Sequence, residues 1–272
     1  MQNAELSALV KKIHMERGLD LTKYKLSFIQ RRLATRLRAK GVSSYRAYMR
    51  LLDDEEYSRL LDALTVNLTF FFRDTSTFQA LRDEVLKPLI AQRRAQGYRS
   101  LRIWSAGCAS GEEPYSVAII VHQLLYTEIA QWDIRILGTD IDEKKLAQAR
   151  QAVYTAFSFK GTHWPNLEAY VRREGHRYTL IPAVTNLVHF RRHDLISDPP
   201  PGRFDVILCR NVLIYMKRSQ QTHILKRLHR ALRPEGVLVL GKTEILPPDA
   251  SNWYAPLNLK EHIYRKVGHT IP

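Results

Sequence analysis

The feature that most constrains the fold is the stretch LRIWSAGCASGEEPYS, residues 101–116. An apolar run, typical of a buried strand, ends there in a loop that contains Gly107 and Gly111. Two acidic residues, Glu112 and Glu113, follow at the predicted helix start. A strand, a glycine loop and a helix start in this order are typical of the first unit of a nucleotide-binding α/β sheet.

The charge of this helix start argues against a phosphate ligand. Phosphate-binding loops offer backbone N–H groups and the positive end of a helix dipole, and two carboxylates there would repel an anion. The glycine spacing matches neither G-x-G-x-x-G nor the loop that ends in Gly-Lys-Ser/Thr. A nucleoside without phosphates that carries a cation fits better, as S-adenosylmethionine does. This stretch alone favours a second interpretation equally, in which Glu112 and Glu113 bind no ligand and only complement the dipole of a helix that Pro114 opens.

Composition bounds the partners and the environment. A chain of 272 residues has room for one full α/β domain and a smaller module. Its 42 basic and 27 acidic residues indicate an acidic partner, such as nucleic acid, a membrane surface or an acidic protein. The two cysteines, Cys108 and Cys209, lack metal-ligand spacing, and no run is long and apolar enough to span a bilayer. We expect a cytoplasmic monomer with no metal site and no membrane insertion.

Residues 1–75 are predicted to form an all-helical, basic domain, with helices at residues 4–17, 26–39, 44–52 and 54–64. In the second helix, apolar residues recur at steps of three and four, which marks one buried face. These residues are Leu26, Ile29, Leu33 and Leu37. Residues 21–52 contain nine Lys or Arg and no acidic residue. Because unpaired like charges repel, we interpret this run as a docking surface, although a solvated helix face is the alternative. Its candidate docking residues are Arg31, Arg32, Arg36 and Arg38.

Residues 76–97 are predicted to form a linker helix and residues 98–272 an α/β domain. Short apolar runs alternate with helices in the latter, which indicates a doubly wound, mostly parallel sheet. The alternation lapses at about residues 153–192. There, residues 178–181 and 187–190 are predicted to be strands of a small inserted antiparallel β subdomain.

Polar residues follow further strands of the predicted sheet, at the carboxyl ends where ligands bind. Asp140 ends the second strand and is placed to accept hydrogen bonds from ribose hydroxyls. Its alternative role is to cap the next helix, which Asp142 could fill instead. The run His193, Asp194 and Leu195 is placed to bracket an adenine edge.

The apolar strand FDVILC, residues 204–209, is followed by Arg210, Asn211 and, further on, Tyr215. Polar groups at the end of a buried strand need hydrogen-bond partners, which a ligand can provide. The Asn/Asp-Pro-Pro-aromatic motif common in amino-group methylation does not follow. Cytosine C5 methylation needs a cysteine nucleophile, whereas Cys209 lies within the apolar strand and is interpreted as core.

The segment VNLTFFFRD, residues 66–74, joins the helical domain to the sheet domain. Its three consecutive phenylalanines predict core packing. Asn67, Thr69 and Arg73 alternate around them as if on another face, which makes them candidates for binding.

Taken together, these motifs resemble the bacterial chemotaxis receptor methyltransferases, the CheR family, over nearly the whole chain. The motifs that carry the resemblance are NLTFFFRD, WSAGCASGEEPYS, TDID and CRNVLIY. The resemblance implies a class I S-adenosylmethionine-dependent methyltransferase with a Rossmann-like sheet, which forms methyl esters on glutamate side chains and releases S-adenosylhomocysteine. Its partners would be the cytoplasmic signalling domains of methyl-accepting chemotaxis receptors, and its role sensory adaptation.

The resemblance also assigns residues to the site. It places at the cofactor Asn67, Thr69, Arg73, one of Glu112 and Glu113, Asp140, Asp194, Leu195, Arg210 and Asn211. Arg73 would also reach the active centre, and Tyr215 would lie near the methyl group. Because a glutamate carboxylate is already ionised at neutral pH, we expect Arg73 and Tyr215 to orient it rather than to activate it.

Two other functions compete with this interpretation. The basic surface also suits a nucleic-acid methyltransferase, but the aromatic residues lie mostly at core spacing and are not interleaved with the cations. A non-catalytic adaptor would not need the intact acidic and amide positions. Within the family, members that tether to a receptor's C-terminal pentapeptide have a longer glycine-bearing loop than residues 173–177 provide, which argues against such tethering.

Overall fold

The structure, a computed structural model, describes residues 2–64 and 69–268. The chain divides into two compact units. The first takes in Met1–Asn67 and Tyr215–Gln220, and the second takes in Leu68–Ile214 and Gln221–Pro272. A short segment from late in the chain therefore belongs to the amino-terminal unit.

The first unit is helical, with α1 Gln2–Arg17, α2 Leu26–Ala39, α3 Tyr45–Met49 and α4 Asp54–Leu64. The buried residues of α2 are Phe28, Ile29, Leu33 and Leu37, and they share a core with residues of α1 and α4. Leu26 is 54% exposed, so its predicted place on the buried face is wrong. Leu26 is the first residue of the helix, and Phe28 takes a place on the buried face in its stead.

The segment Tyr215–Gln220 is joined to the start of α2 by backbone hydrogen bonds. Lys25 N donates to Tyr215 O at 2.9 Å, and Lys217 N donates to Lys23 O at 3.1 Å. The aromatic rings of Tyr215 and Phe28 lie with their centroids 4.8 Å apart. Tyr215 is thus held by the second helix of this unit.

A buried glutamate from α4 neutralises part of the basic run. Glu56 is fully buried and accepts hydrogen bonds from Arg36 Nε (3.0 Å) and Nη2 (2.7 Å) and from the Tyr48 hydroxyl (2.6 Å). Lys40 Nζ lies 3.2 Å from the same carboxylate. Burial opposes ionisation of Glu56, but these hydrogen bonds outweigh it and lower the pKa to about 2. The prediction that the run is unpaired is therefore wrong for Arg36 and Lys40, because their partner lies outside the run.

The second unit is built on strands that alternate with helices. The strands within residues 69–268 are β1 Ser100–Ala106, β2 Asp133–Asp140, β3 Val153–Tyr154, β4 Val171–Glu174, β5 Arg177–Leu180, β6 Val188–Arg192, β7 Phe204–Cys209, β8 Leu232–Leu240, β9 Tyr254–Asn258 and β10 Ile263–Lys266. Seven of them form one sheet in the order β6-β2-β1-β7-β8-β10-β9. The first five in this order run parallel, and β10 and β9 each run antiparallel to their neighbour. The predicted doubly wound, mostly parallel sheet is confirmed.

The helices that follow the first unit are α5 Thr75–Ala80, α6 Lys87–Ala95, α7 Glu112–Leu125, α8 Glu143–Gln151, α9 Pro182–Thr185 and α10 Arg218–Ala231. A π-helical stretch, Leu81–Leu86, connects α5 to α6, so this part of the chain is one helical run up to the sheet. Strand β8 begins directly after α10 and is irregular near its start.

The inserted subdomain is smaller than predicted. Strands β3, β5 and β4 form an antiparallel three-stranded sheet, as expected. The predicted strand at residues 187–190 does not belong to it, because Val188–Arg192 pairs in parallel with β2 at the edge of the main sheet. The connection from β2 to this strand, residues 141–187, contains α8, the small sheet and the short helix α9, and is long enough for the crossover that a parallel pairing needs.

Candidate active site

Strands β1, β2, β6, β7 and β8 carry the loops of the candidate site at their carboxyl ends. The loop after β1 is held by Gly107 N and Cys108 N, which donate to Thr139 O at 2.8 and 2.9 Å. Gly107 has a φ of +83°, and a Cβ there would lie 2.5 Å from Val212 Cγ2 of the loop after β7. Only glycine fits this close approach of two strand-end loops.

The two glutamates lie in the first turn of α7, which begins two residues before Pro114. Glu112 is 2% exposed and accepts hydrogen bonds from the hydroxyls of Ser110 (2.8 Å) and Ser158 (3.0 Å). Burial raises the pKa of Glu112, against the effect of these hydrogen bonds. Its carboxyl group therefore ties the loop after β1 to the segment after β3.

Glu113 differs from its neighbour in accessibility and in charge environment. Its side chain is 13% exposed. Oε1 accepts a hydrogen bond from the Ser105 hydroxyl at 2.7 Å, and Oε2 accepts one from Arg210 Nη1 at 3.2 Å. A carboxylate offers about four acceptor positions, so Glu113 can accept further donors at the strand ends.

Of the two roles that the sequence left open for Asp140, the structure gives the helix cap to Asp142. Asp142 Oδ1 accepts from Lys144 N and Lys145 N, at 3.0 and 3.2 Å, and so caps α8. Asp140 lies half-buried at the end of β2, with Oδ2 accepting from Ala109 N at 2.8 Å. Burial raises the pKa of Asp140, which the backbone N–H donors oppose. The cap of the helix is therefore Asp142, and Asp140 faces the loop after β1.

The predicted adenine residues lie next to Asp140. His193 N donates to Asp140 O at 2.9 Å, which brings the end of β6 beside the end of β2. Asp194 Oδ1 accepts from Ile196 N at 2.8 Å and shapes the turn that follows. Leu195 is half-buried beside it. The structure thus brings Asp140, Asp194 and Leu195 together at one end of the edge.

Arg210 is a buried connection between three segments of the second unit. Its side chain is 2% exposed, and Nη2 donates to Arg73 O (2.8 Å) and Asp74 Oδ2 (2.7 Å). Nη1 donates to Glu113. The guanidinium also lies 5.1 Å from the ring centroid of Phe78. These contacts make Arg210 a group that holds the site together, and the contact with the cofactor that the resemblance implies for it stays a prediction.

The segment that carries Arg73 is anchored by the phenylalanines before it. Phe71 stacks on Phe159 at 4.4 Å and Phe72 stacks on Trp164 at 4.3 Å, which confirms their predicted core packing. Phe72 and Asp74 both have positive φ, +52° and +61°, so the backbone turns sharply on either side of Arg73. Such conformations cost free energy and persist where the surrounding structure holds them.

The remaining predicted residues are placed as follows. Thr69 is half-buried at the start of the junction segment, and Asn211 follows Arg210 with a φ of +60°. Tyr215 belongs to the first unit. Asn67 lies outside the described residues.

The comparisons with known proteins agree with this architecture. Residues 4–65 match the family described as CheR methyltransferase, all-alpha domain, and residues 67–263 match CheR methyltransferase, SAM binding domain. The chain belongs to the CheR methyltransferase family. It is accordingly an S-adenosylmethionine-dependent methyltransferase, and the predicted family is confirmed.

Named relatives of this CheR-family chain are chemotaxis proteins. The chemotaxis protein methyltransferase of Escherichia coli K12 is 32% identical over 254 residues, covering 90% of this chain and 85% of the relative. A probable chemotaxis protein methyltransferase of Rhizobium etli is 33% identical over 266 residues, covering 94% and 98%. An uncharacterized 104.1 kDa protein of Rhodobacter capsulatus is 32% identical over 244 residues; the match covers 89% of this chain and 25% of that relative's length.

The residues at the strand ends fit S-adenosylmethionine. Two carboxylates, Glu113 and Asp140, lie at the strand ends, and carboxylates can accept hydrogen bonds from an ammonium group and from ribose hydroxyls. A phosphate at the first turn of α7 would meet Glu112 and Glu113 instead of free N–H groups. The donor set of the CheR-family site therefore suits a positively charged ligand.

Two side chains that shape this site, those of Ser105 and Glu244, were not predicted from the sequence. Ser105, the penultimate residue of β1, holds Glu113, and Glu244, after β8, accepts N–H groups from the loop after β7. The signal for Glu244 was its place a few residues beyond the end of β8. In residues 2–64 and 69–268, no helix is long and apolar enough to cross a membrane. No group of three or more His, Cys, Asp and Glu side chains in these ranges could hold a metal ion.

Proposed function

We propose that this protein transfers the methyl group of S-adenosylmethionine to glutamate side-chain carboxylates on the cytoplasmic signalling domains of chemoreceptors. It would act in the cytoplasm, in sensory adaptation. The observation that carries this proposal is the pair of accessible carboxylates, Glu113 and Asp140, at the carboxyl edge of a CheR-family sheet. The family and its named relatives favour receptor methylation over nucleic-acid methylation.

Of the two glutamates, we assign Glu113 to the cofactor. Each glutamate accepts two side-chain hydrogen bonds, but Glu112 is 2% exposed and links segments of the fold, whereas the Glu113 side chain is 13% exposed, so its remaining acceptor positions are easier to reach. An ammonium group beside Glu113 would meet a carboxylate in the first turn of a helix. Arg210 on the other oxygen holds that carboxylate in one rotamer.

The other proposed contacts with the cofactor follow from the position of each residue along the carboxyl edge of the sheet. We assign Asp140 to the ribose hydroxyls, and Asp194 and Leu195 to the surroundings of the adenine. Thr69 and Asn211 are assigned to the methionine half, together with Asn67. Arg210 acts on the cofactor through the side chains it holds.

The reaction does not require general acid–base catalysis by the protein. When bound, S-adenosylmethionine supplies an electrophilic methyl group next to a sulfonium. The acceptor glutamate is ionised at neutral pH and needs no general base. The protein's task is to align one carboxylate oxygen with the methyl carbon and to keep water out, and we assign the alignment to Arg73 and Tyr215.

The ion pair between the acceptor carboxylate and Arg73 must be of moderate strength. The carboxylate loses its charge on the way to the methyl ester, so a tight ion pair with Arg73 would stabilise the ground state more than the transition state. A single contact with a charged group, in place of a full bidentate clamp, would hold the carboxylate in place. Such a contact favours positioning over charge stabilisation.

The proposed docking surface contains fewer arginines than the basic run at residues 21–52. Arg31 and Arg38 are exposed on α2, and the guanidinium of Arg32 lies 5.6 Å from the ring centroid of Phe28. Arg36 is neutralised by Glu56 and is assigned to the fold of the helical unit. The exposed cations suit an acidic helical bundle, and we propose no nucleic-acid partner.

Two further features of the partner interaction stay proposals. Strands β4 and β5 are joined by a tight turn at Gly175 and His176, with Glu174 opposite Arg177. This short hairpin supports recognition without a pentapeptide tether. We also propose that the protein acts as a monomer.

The proposal is tested by methyl transfer to a receptor signalling fragment from S-adenosylmethionine labelled in its methyl group. Release of the label as methanol in mild alkali marks a carboxyl ester and supports the proposal. Alkali-stable label on the fragment, or label on added RNA in its place, would contradict it.

A further inference from the structure

A buried glutamate with no role in the mechanism lies at the end of β8. Glu244 is 3% exposed, and its carboxylate accepts four backbone N–H groups. Oε2 accepts from Asn211 N at 2.8 Å and from Gly241 N at 2.7 Å. Oε1 accepts from Val212 N at 2.8 Å and from Leu213 N at 2.7 Å. One side chain thus satisfies three successive amides of the loop after β7.

This arrangement depends on a carboxylate. An ionised carboxylate only accepts hydrogen bonds, and each oxygen of Glu244 accepts two. A glutamine of the same shape would turn an NH₂ group toward two N–H donors and leave them unsatisfied. Burying such unsatisfied donors is costly, so the anchor is specific to the charged side chain.

The anchored loop adopts a conformation that it would rarely take alone. Asn211 has a φ of +60°, in the left-handed region that most residues avoid. The space beside it is also tight, because a Cβ on Gly241 would lie 2.9 Å from Asn211 N and from Glu244 Oε2. Glu244 and Gly241 therefore act together on the same backbone turn.

The same loop contacts the parts of the site that face the cofactor. Its first residue, Arg210, reaches Glu113 on α7 and Asp74 beside Arg73. Val212 packs so closely on Gly107 that the latter has no room for a side chain. A shift of this loop would therefore move both Arg210, which pairs with Glu113, and Val212, which packs on the loop after β1.

We propose that Glu244 is a positioning residue: its four N–H contacts fix residues 210–213 in the geometry that binds S-adenosylmethionine. The inference rests on the proposed assignment of Asn211 and Glu113 to the cofactor. Glu244 itself touches no reacting group, so its effect is on cofactor affinity and not on the chemical step.

The test compares Glu244→Gln with Glu261→Gln by calorimetric titration with S-adenosylhomocysteine. Glu261 is a matched control, since it is also buried in the second unit, but it accepts from Ser76, Thr77 and Lys242 and does not contact the loop. We expect Glu244→Gln to weaken binding at least about tenfold and Glu261→Gln to change it less than about twofold. In turnover, Glu244→Gln should raise the KM for S-adenosylmethionine and leave kcat at saturation nearly unchanged.

Wild-type affinity in Glu244→Gln would overturn the inference, as would equal losses of affinity in both variants. Asn211→Ala separates the two proposals. If it weakens binding and Glu244→Gln does not, the loop belongs to the site and only the anchoring role fails; if neither weakens binding, the loop assignment fails as well. Should Glu244→Gln not fold, Gly241→Ala displaces the same turn with the carboxylate kept, and wild-type affinity in that variant would overturn the inference.

Discussion

Arg210 and Glu113 form an ion pair across the candidate site, with Nη1 of the arginine 3.2 Å from Oε2 of the glutamate. The two residues are 97 positions apart in the chain. Arg210 follows the end of β7 and Glu113 lies in the first turn of α7, which follows β1, so the pair joins the carboxyl ends of two neighbouring strands. This pair fixes the direction in which the remaining acceptor positions of Glu113 point.

The first prediction separates Glu113 from Glu112. Glu113→Gln removes the charge that would pair with the ammonium of the cofactor, and we expect affinity for S-adenosylhomocysteine to fall about tenfold or more. Glu112→Gln keeps an acceptor for Ser110 and Ser158 and should change affinity less than about threefold. Calorimetric titration of both variants checks this. The reverse order of effects would assign the cofactor contact to Glu112.

The second prediction concerns orientation of the acceptor carboxylate. Tyr215→Phe and Arg73→Ala should each lower kcat for the receptor fragment by about tenfold or more, because alignment of carboxylate and methyl is lost. Tyr24→Phe, in the same aromatic row of the first unit, is the matched control and should leave kcat unchanged. Normal turnover in both Tyr215→Phe and Arg73→Ala would refute their assignment.

The third prediction is that the exposed arginines of α2 set the rate of encounter with an acidic receptor. The double variant Arg31→Gln/Arg38→Gln should lower kcat/KM for the receptor fragment several-fold at low salt, and the difference from wild type should shrink as salt is added. The double variant Arg94→Gln/Arg99→Gln removes the same charge from the second unit. Equal effects of the two double variants would mean that only net charge matters, contrary to a docking surface on α2.

The fourth prediction follows from the lowered pKa of Glu56. A carboxyl whose pKa falls from 4.5 to about 2 on folding contributes stability that is complete above pH 4.5 and is lost as the pH falls toward 2. We expect Glu56→Gln to lower the free energy of unfolding by about 2 kcal/mol at pH 7, since solvent screens part of the pairing with Arg36 and Lys40. The loss should shrink toward pH 3 in urea titrations. Glu55→Gln, on an exposed neighbour, should show a change of less than about 0.5 kcal/mol at either pH, and a pH-independent loss for Glu56→Gln would contradict the pairing.

The positions of several candidate residues at strand ends and helix starts could be predicted because these positions are local in sequence. Asp140 and Asp142 are two residues apart, yet a strand end and a helix start impose different roles on them, and these roles follow from the order of elements alone. The same holds for the acidic first turn of α7. In each case the functional group and the element that places it are neighbours in sequence.

The rest depends on contacts between distant segments. The pairing of Arg36 with Glu56 requires α2 and α4 to pack, and the charge run alone gives no hint of it. Residues 187–190 have the pattern of a short strand, but the choice between two sheets depends on which edge is open, and β2 provides it. Glu244 acquires its role only because β7 and β8 are neighbours in the sheet.

The central claim is that a glutamate carboxylate is the methyl acceptor. Its most direct test is to methylate a receptor signalling fragment with unlabelled S-adenosylmethionine and to locate the added methyl group by fragmentation mass spectrometry, before and after mild alkali. The account predicts one methyl increment on the side chain of specific glutamates, absent after alkali and about tenfold less abundant when Glu113→Gln replaces the wild-type enzyme at low cofactor concentration. A methyl group on any other side chain, or one that survives alkali, would contradict it.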